Sequence, residues 1–190
     1  MKEKIWTLFG IGLAVLTDVG MGLIIFCVMG KLFHYELPLY FYPVGIFFSL
    51  LPDSDLFLMK IGLVRDHHQF PSHYPFVFMS AICFLVFGVA FVGSVPHPGF
   101  WTSVAALCLF FHYLDDTWGR TSGVGLRWFM PWDRKYYSFC PRRVLTEEEE
   151  KEVKLLNPKE WVRYHYLRIT PELLLGVGIF FAGVALTFFW

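Results

Sequence analysis

The fold class this sequence predicts is an all-α membrane protein, a bundle of about five transmembrane helices with cytoplasmic interfacial helices. Three observations predict it. Of 190 residues, 56% are hydrophobic and 20% aromatic, and the mean hydropathy is +0.50, which points to a membrane protein rather than a soluble globule. The apolar residues fall into long runs, at about 5–29, 37–52, 74–94, 100–118 and 170–190. Five crossings would put fifteen of the sixteen Lys and Arg residues on one side, with only Lys31 opposite.

The chain reads as one integral-membrane domain over 1–190. Its first run follows Met1–Lys4 and is too long for the apolar region of a signal peptide, so it reads as a retained span. Glycines at 10, 12, 20 and 22 would let neighbouring helices approach closely there, and Asp18 is a charge inside it. The second run has only 16 residues, 37–52. That covers about 24 Å of a hydrocarbon core of about 30 Å. Pro43 inside it is expected to kink it.

The polar connection from Asp53 to His73 holds three of the seven histidines. The third run, 74–94, ends at the VPHPG turn, and the fourth ends in CLFFHYLDDTW. Within the cytoplasmic interfacial segment 119–169, residues 119–143 are too charged to span but contain GLRWFMPW and KYYSF, aromatic enough to lie at the membrane interface. Thr146–Glu149 reads as a capping box and Asn157-Pro158 as a second helix start. The positive-inside rule then makes the basic side cytoplasmic, in an inner or plasma membrane. The N-terminus would be cytoplasmic and the C-terminus on the far side.

The formal net charge is zero, so there is no basic bias toward nucleic acid. The four cysteines form no C-x-x-C pair, which argues against a disulfide framework or thiolate zinc site. The expected partners are membrane lipids and a small or lipid-like substrate.

The chemistry concentrates at one membrane face. His112, Asp115 and Asp116 are spaced i, i+3 and i+4 and share one face of a helix. An unpaired charge within a span costs roughly 2.5–3.5 kcal/mol, so two adjacent carboxylates call for a cation or protons to offset them. Five spans bring the end of span two, the start of span three and the end of span four to the same face. Asp53, Asp55, His67, His68, His73, His112, Asp115 and Asp116 can converge there, with Asp18 deeper. Mixed imidazole and carboxylate ligands suit zinc first, with manganese or iron as alternatives, more than calcium. Such a metal activates water as a nucleophile, and a carboxylate not used as a ligand can act as general base.

LLPDSD at 50–55, H-x4-H in HHQFPSHYP, and HYLDDTW followed by GLRWFMPW resemble the YdjM-type family of inner-membrane-associated, metal-dependent hydrolases. The family pattern has a Leu-Pro-Asp-x-Asp motif, a His-Arg-x-x-Thr-His-Ser motif, then a His with an Asp three or four residues on. The resemblance covers about 15–132. It departs at Thr17-Asp18, where the family often has Thr-His, and at Gln69, where it has Arg. The resemblance implies a hydrolase; taken together with the residue pattern, hydrolysis of an ester or phosphoester is expected at the cytoplasmic face, with Asp53, Asp55, His68, His73, His112 and Asp116 as metal ligands or directly behind them and Asp115 or Asp18 as base. Arg120 and Arg127 are candidates to bind an anionic group. A transporter and a non-catalytic, metal-stabilised scaffold are the alternatives.

Overall fold

The computed structural model describes residues 12–13, 15–61, 63, 70–118, 126–139 and 171–189. Among these residues six α-helices occur in order: α1 (Leu16–Leu32), α2 (Pro43–Leu50), α3 (Asp55–Lys60), α4 (Pro75–Val92), α5 (Pro98–Trp118) and α6 (Pro171–Phe189). Three-residue 3-10 turns sit at Leu39–Phe41, Pro52–Ser54 and Pro71–His73. The described residues contain no strand, only an isolated antiparallel bridge between Leu126 and Tyr137.

Prolines punctuate the helix starts. Pro43 and Pro75 open α2 and α4, where a fixed φ and a missing N–H cost nothing. Pro43 therefore starts a helix of 8 residues after the 39–41 turn, rather than kinking a continuous 37–52 helix as expected. The apolar runs at 74–94, 100–118 and 170–190 form the helices α4, α5 and α6. Of the first, α1 covers 16–32, and most of its expected start lies outside the described residues.

α1 packs most extensively on α6 and also meets α2 and α5, while α4 packs on α5. Glycines set the closest approaches. A Cβ on Gly20 would stand 2.5 Å from the backbone of Phe180, and one on Gly22 would stand 2.6 Å from the Gly45 carbonyl oxygen. No side chain fits in those gaps, so the backbones touch directly. The main core joins Ile25, Phe26 and Met29 of α1 to Phe48 of α2 and to Phe100, Val104, Ala105 and Cys108 of α5. A smaller core holds Leu109, Tyr113 and Leu126, covered by Phe78, Met79 and Trp128.

The outer faces are apolar. In α4 only Pro75 and Ala90 are buried, and Phe84 and Val92 are more than 80% exposed, at 81% and 84%. α6 exposes Leu174, Leu175, Phe181 and Phe188. Among the described residues one helix, Pro75–Val92, is long and apolar enough to cross a membrane.

Candidate metal centre

Three separate stretches build the site. Pro52 opens a 3-10 turn that presents Asp53 and passes directly into α3, whose first residue is Asp55. Pro71 opens the turn that ends in His73, immediately before α4. The last two turns of α5 carry His112 and Asp116 on one face, as i and i+4 spacing requires. The 52–54 and 71–73 turns contact each other.

Four donor atoms face one another. His73 Nε2 lies 3.7 Å from Asp53 Oδ1 and 3.5 Å from Asp116 Oδ2. His112 Nε2 lies 3.7 Å and 3.4 Å from the same two oxygens. Donors 2.0–2.2 Å from a tetrahedral zinc stand roughly 3.3–3.6 Å apart, whereas neighbouring donors of an octahedral ion of that size would stand roughly 3.0 Å apart. The separations of 3.4 and 3.5 Å to Asp116 fall in the tetrahedral range, and the two of 3.7 Å to Asp53 lie just above it. Asp53, His73 and His112 lie close enough to hold a metal ion, with their donor atoms all within 4.8 Å of one another.

The other nitrogen of each imidazole meets a carboxylate. His73 Nδ1 is 3.0 Å from Asp55 Oδ2, and His112 Nδ1 is 3.0 Å from Asp18 Oδ1. A carboxylate accepts, so each Nδ1 carries a proton, and once the second proton is lost each Nε2 can present its lone pair to the cluster. This is the arrangement that orients metal-bound histidines and raises their basicity. Asp55 and Asp18 thus stand behind the rings, at the Nδ1 atoms, and outside the four-donor group. Ser72 Oγ donates to Asp55 Oδ2 at 2.8 Å and lies 3.1 Å from His73 Nδ1.

The imidazoles are buried, with side-chain exposures of 0% for His73 and 3% for His112, whereas Asp53 and Asp116 keep 25% and 22%. The two carboxylates are thus the partly exposed members of the cluster. Burial alone would lower the His73 pKa, but its contacts with Asp53 and Asp55 and the charge of Asp116 outweigh burial and raise it from 6.5 to about 9. For Asp53, burial works upward, but His73 and the charge of His112 outweigh it and hold the carboxyl below its ordinary value.

The remaining sequence candidates divide. Asp115 is exposed, one residue before Asp116. His67, His68 and Arg120 lie outside the described residues, as do the 146–149 and 157–158 helix starts. Arg127 stacks its guanidinium over the Tyr136 ring at 4.4 Å. Two neighbours were not singled out from the sequence. Tyr113, fully buried, donates its hydroxyl to the Ser72 carbonyl at 2.7 Å, and Thr117 Oγ1 accepts from Trp128 Nε1 at 2.8 Å. Each directly follows a cluster residue of α5, His112 or Asp116, which is the one signal that could have marked them.

The chain matches no protein-family model, no curated protein and no solved structure.

Proposed function

We propose that the chain is a multi-pass membrane protein of about five spans, with a metal-dependent hydrolase site at its cytoplasmic face that cleaves an ester or phosphoester. The observation that carries this reading is the approach of two imidazole Nε2 atoms to two carboxylate oxygens at 3.4–3.7 Å, with the imidazoles buried and the carboxylates partly exposed. The YdjM-type resemblance points to the same reaction class. The exposed apolar faces of α4 and α6 support the membrane setting.

In this reading His73, His112, Asp53 and Asp116 hold a divalent ion, zinc before manganese or iron. The ion would supply Lewis-acid activation of water at neutral pH. Asp55 and Asp18 orient the two imidazoles. Asp115 is the preferred general base, because it is exposed beside the donors while Asp18 is engaged by His112. Leu56 and Trp118, also exposed, flank these residues in the chain and suit a substrate with an apolar, lipid-derived part.

The test is elemental analysis of the full chain purified in detergent, followed by turnover of aryl phosphate and aryl ester substrates. One equivalent of a transition metal is expected, lost in His112→Ala, together with turnover that Asp115→Asn abolishes while keeping the metal. Absence of stoichiometric metal in the wild type overturns the reading.

A scaffold role for the metal is the second reading, favoured by the count of four protein donors, enough to close a tetrahedral shell. It predicts metal without turnover, and a loss of folded protein when a chelator strips the metal.

A further inference from the structure

We propose that Tyr113 and Ser72 are positioning residues of the metal centre, which together aim His73 Nε2 at the donors supplied by α5. The inference rests on the metal-centre reading above. The connection is continuous and buried. The Tyr113 hydroxyl donates to the Ser72 carbonyl at 2.7 Å, and the Ser72 hydroxyl donates to Asp55 Oδ2 at 2.8 Å. The same Oδ2 accepts from His73 Nδ1 at 3.0 Å. Ser72, His73, Asp55 and Tyr113 are each 2% exposed or less.

Geometry sets this apart from a tyrosine merely satisfied in a core. Two of the four donors, His112 and Asp116, ride on α5, whereas His73 rides on a three-residue turn at the start of α4. A 3-10 turn of that length has little internal rigidity. Its own backbone bonds are His73 N to Phe70 O and Tyr74 N to Pro71 O. Neither of them sets its distance from α5. Beside the packing of α4 on α5, the Tyr113 hydroxyl supplies a direct tie, because Tyr113 is the residue after His112 and Ser72 is the residue before His73. One bond thus ties the backbone of one imidazole's turn to the helix that carries the other.

Ser72 adds an orientation. Its hydroxyl donates to Asp55 Oδ2, and that oxygen also takes the Nδ1 proton of His73. The carboxylate is held from two directions, so the ring it bonds has one preferred rotation. The donor separations of 3.5 and 3.7 Å from His73 Nε2 depend on that rotation.

The experiment compares wild type with Tyr113→Phe, Ser72→Ala and Ser72→Thr in the full chain in detergent. Zinc affinity is measured by competition with a chromogenic chelator, the cobalt-substituted visible spectrum is recorded, and the thermal midpoint is taken without metal. Tyr113→Phe and Ser72→Ala should each weaken zinc binding by about 10–100-fold, the usual cost of removing a group behind a metal ligand. They should also change the cobalt spectrum, with Ser72→Thr closer to wild type in both. Affinity and spectrum unchanged in Tyr113→Phe and Ser72→Ala would overturn the proposal. So would losses that only follow the metal-free midpoint, since that is the mark of a structural role. A wild type that takes up neither zinc nor cobalt would instead overturn the metal centre itself.

Discussion

At the scale of residues, the carboxylates that face His73 and His112 divide by which ring nitrogen they meet. Asp53 and Asp116 face Nε2 atoms, and Asp18 and Asp55 face Nδ1 atoms. A carboxylate behind an imidazole holds the tautomer and the ring, so its loss weakens a site without emptying it. Asp18→Asn and Asp55→Asn should each lower zinc affinity by about 10–100-fold, and Asp116→Ala should lower it further, in the same chelator competition. Equal losses in all three would contradict the division. His73 adds a pH dependence. Its pKa is raised from 6.5 to about 9 in the folded, metal-free chain, so its contribution to stability is full below 6.5 and disappears as pH rises through 9. A metal must displace that proton, so zinc affinity should rise with pH between those values, by up to tenfold per unit for one proton released. A flat profile across that window would mean the imidazole carries no proton to displace.

At the scale of elements, the site depends on helices whose backbones lie in contact. Asp18 sits in the first turn of α1, and α1 is located by glycine contacts with α6 and α2. A Cβ on Gly22 would stand 2.6 Å from the Gly45 carbonyl oxygen, a backbone atom that has no rotamer by which to move aside. Gly22→Val should therefore force α1 and α2 apart and destabilise by about 1–3 kcal/mol, read as a lower thermal midpoint in detergent. Gly88 has nothing within 4 Å of where its Cβ would be, so Gly88→Ala is the control and should leave the midpoint unchanged or slightly higher. An equal fall in both would show that helix approach is not what Gly22 provides. α5 acts differently, as the rod to which the other walls attach. His112 and Asp116 point into the cluster, while Tyr113 and Thr117 hold the 71–73 turn and Trp128.

At the scale of the molecule, the charge distribution predicts an orientation that the proposed five spans make testable. The N-terminus, the 53–73 connection and residues 119–169 should lie in the cytoplasm, and Trp190 on the far side. A fluorescent-protein fusion at the C-terminus should be dark, and an alkaline phosphatase fusion there active, in bacterial cells. The opposite pair of signals would reverse the topology or remove a span. The exposed apolar residues along α4 and α6 belong to the same reading, since water would strongly penalise so many large exposed apolar side chains.

Much of this was legible in the sequence because it depends on local pattern. Apolar runs fall where α4, α5 and α6 form, since burying backbone polar groups in an apolar run favours the helix. The i, i+4 spacing of His112 and Asp116 put both on one face, since helical geometry leaves them no alternative. Proximity of LPDSD, HHQFPSH and HYLDDTW followed from an expected topology, and Asp53, His73 and His112 do come together. The sequence alone could not say which nitrogen each carboxylate would meet. That depends on the rotation of two rings and on offsets of a few ångströms between chain segments, which no spacing encodes. For the same reason Asp55 could not be told from a ligand or Asp18 from a base, and nothing marked Tyr113 and Ser72 as neighbours of the site. Pro43 is a further case: a proline can kink a helix or begin one, and only the tertiary structure shows that it begins α2, where its missing N–H costs nothing.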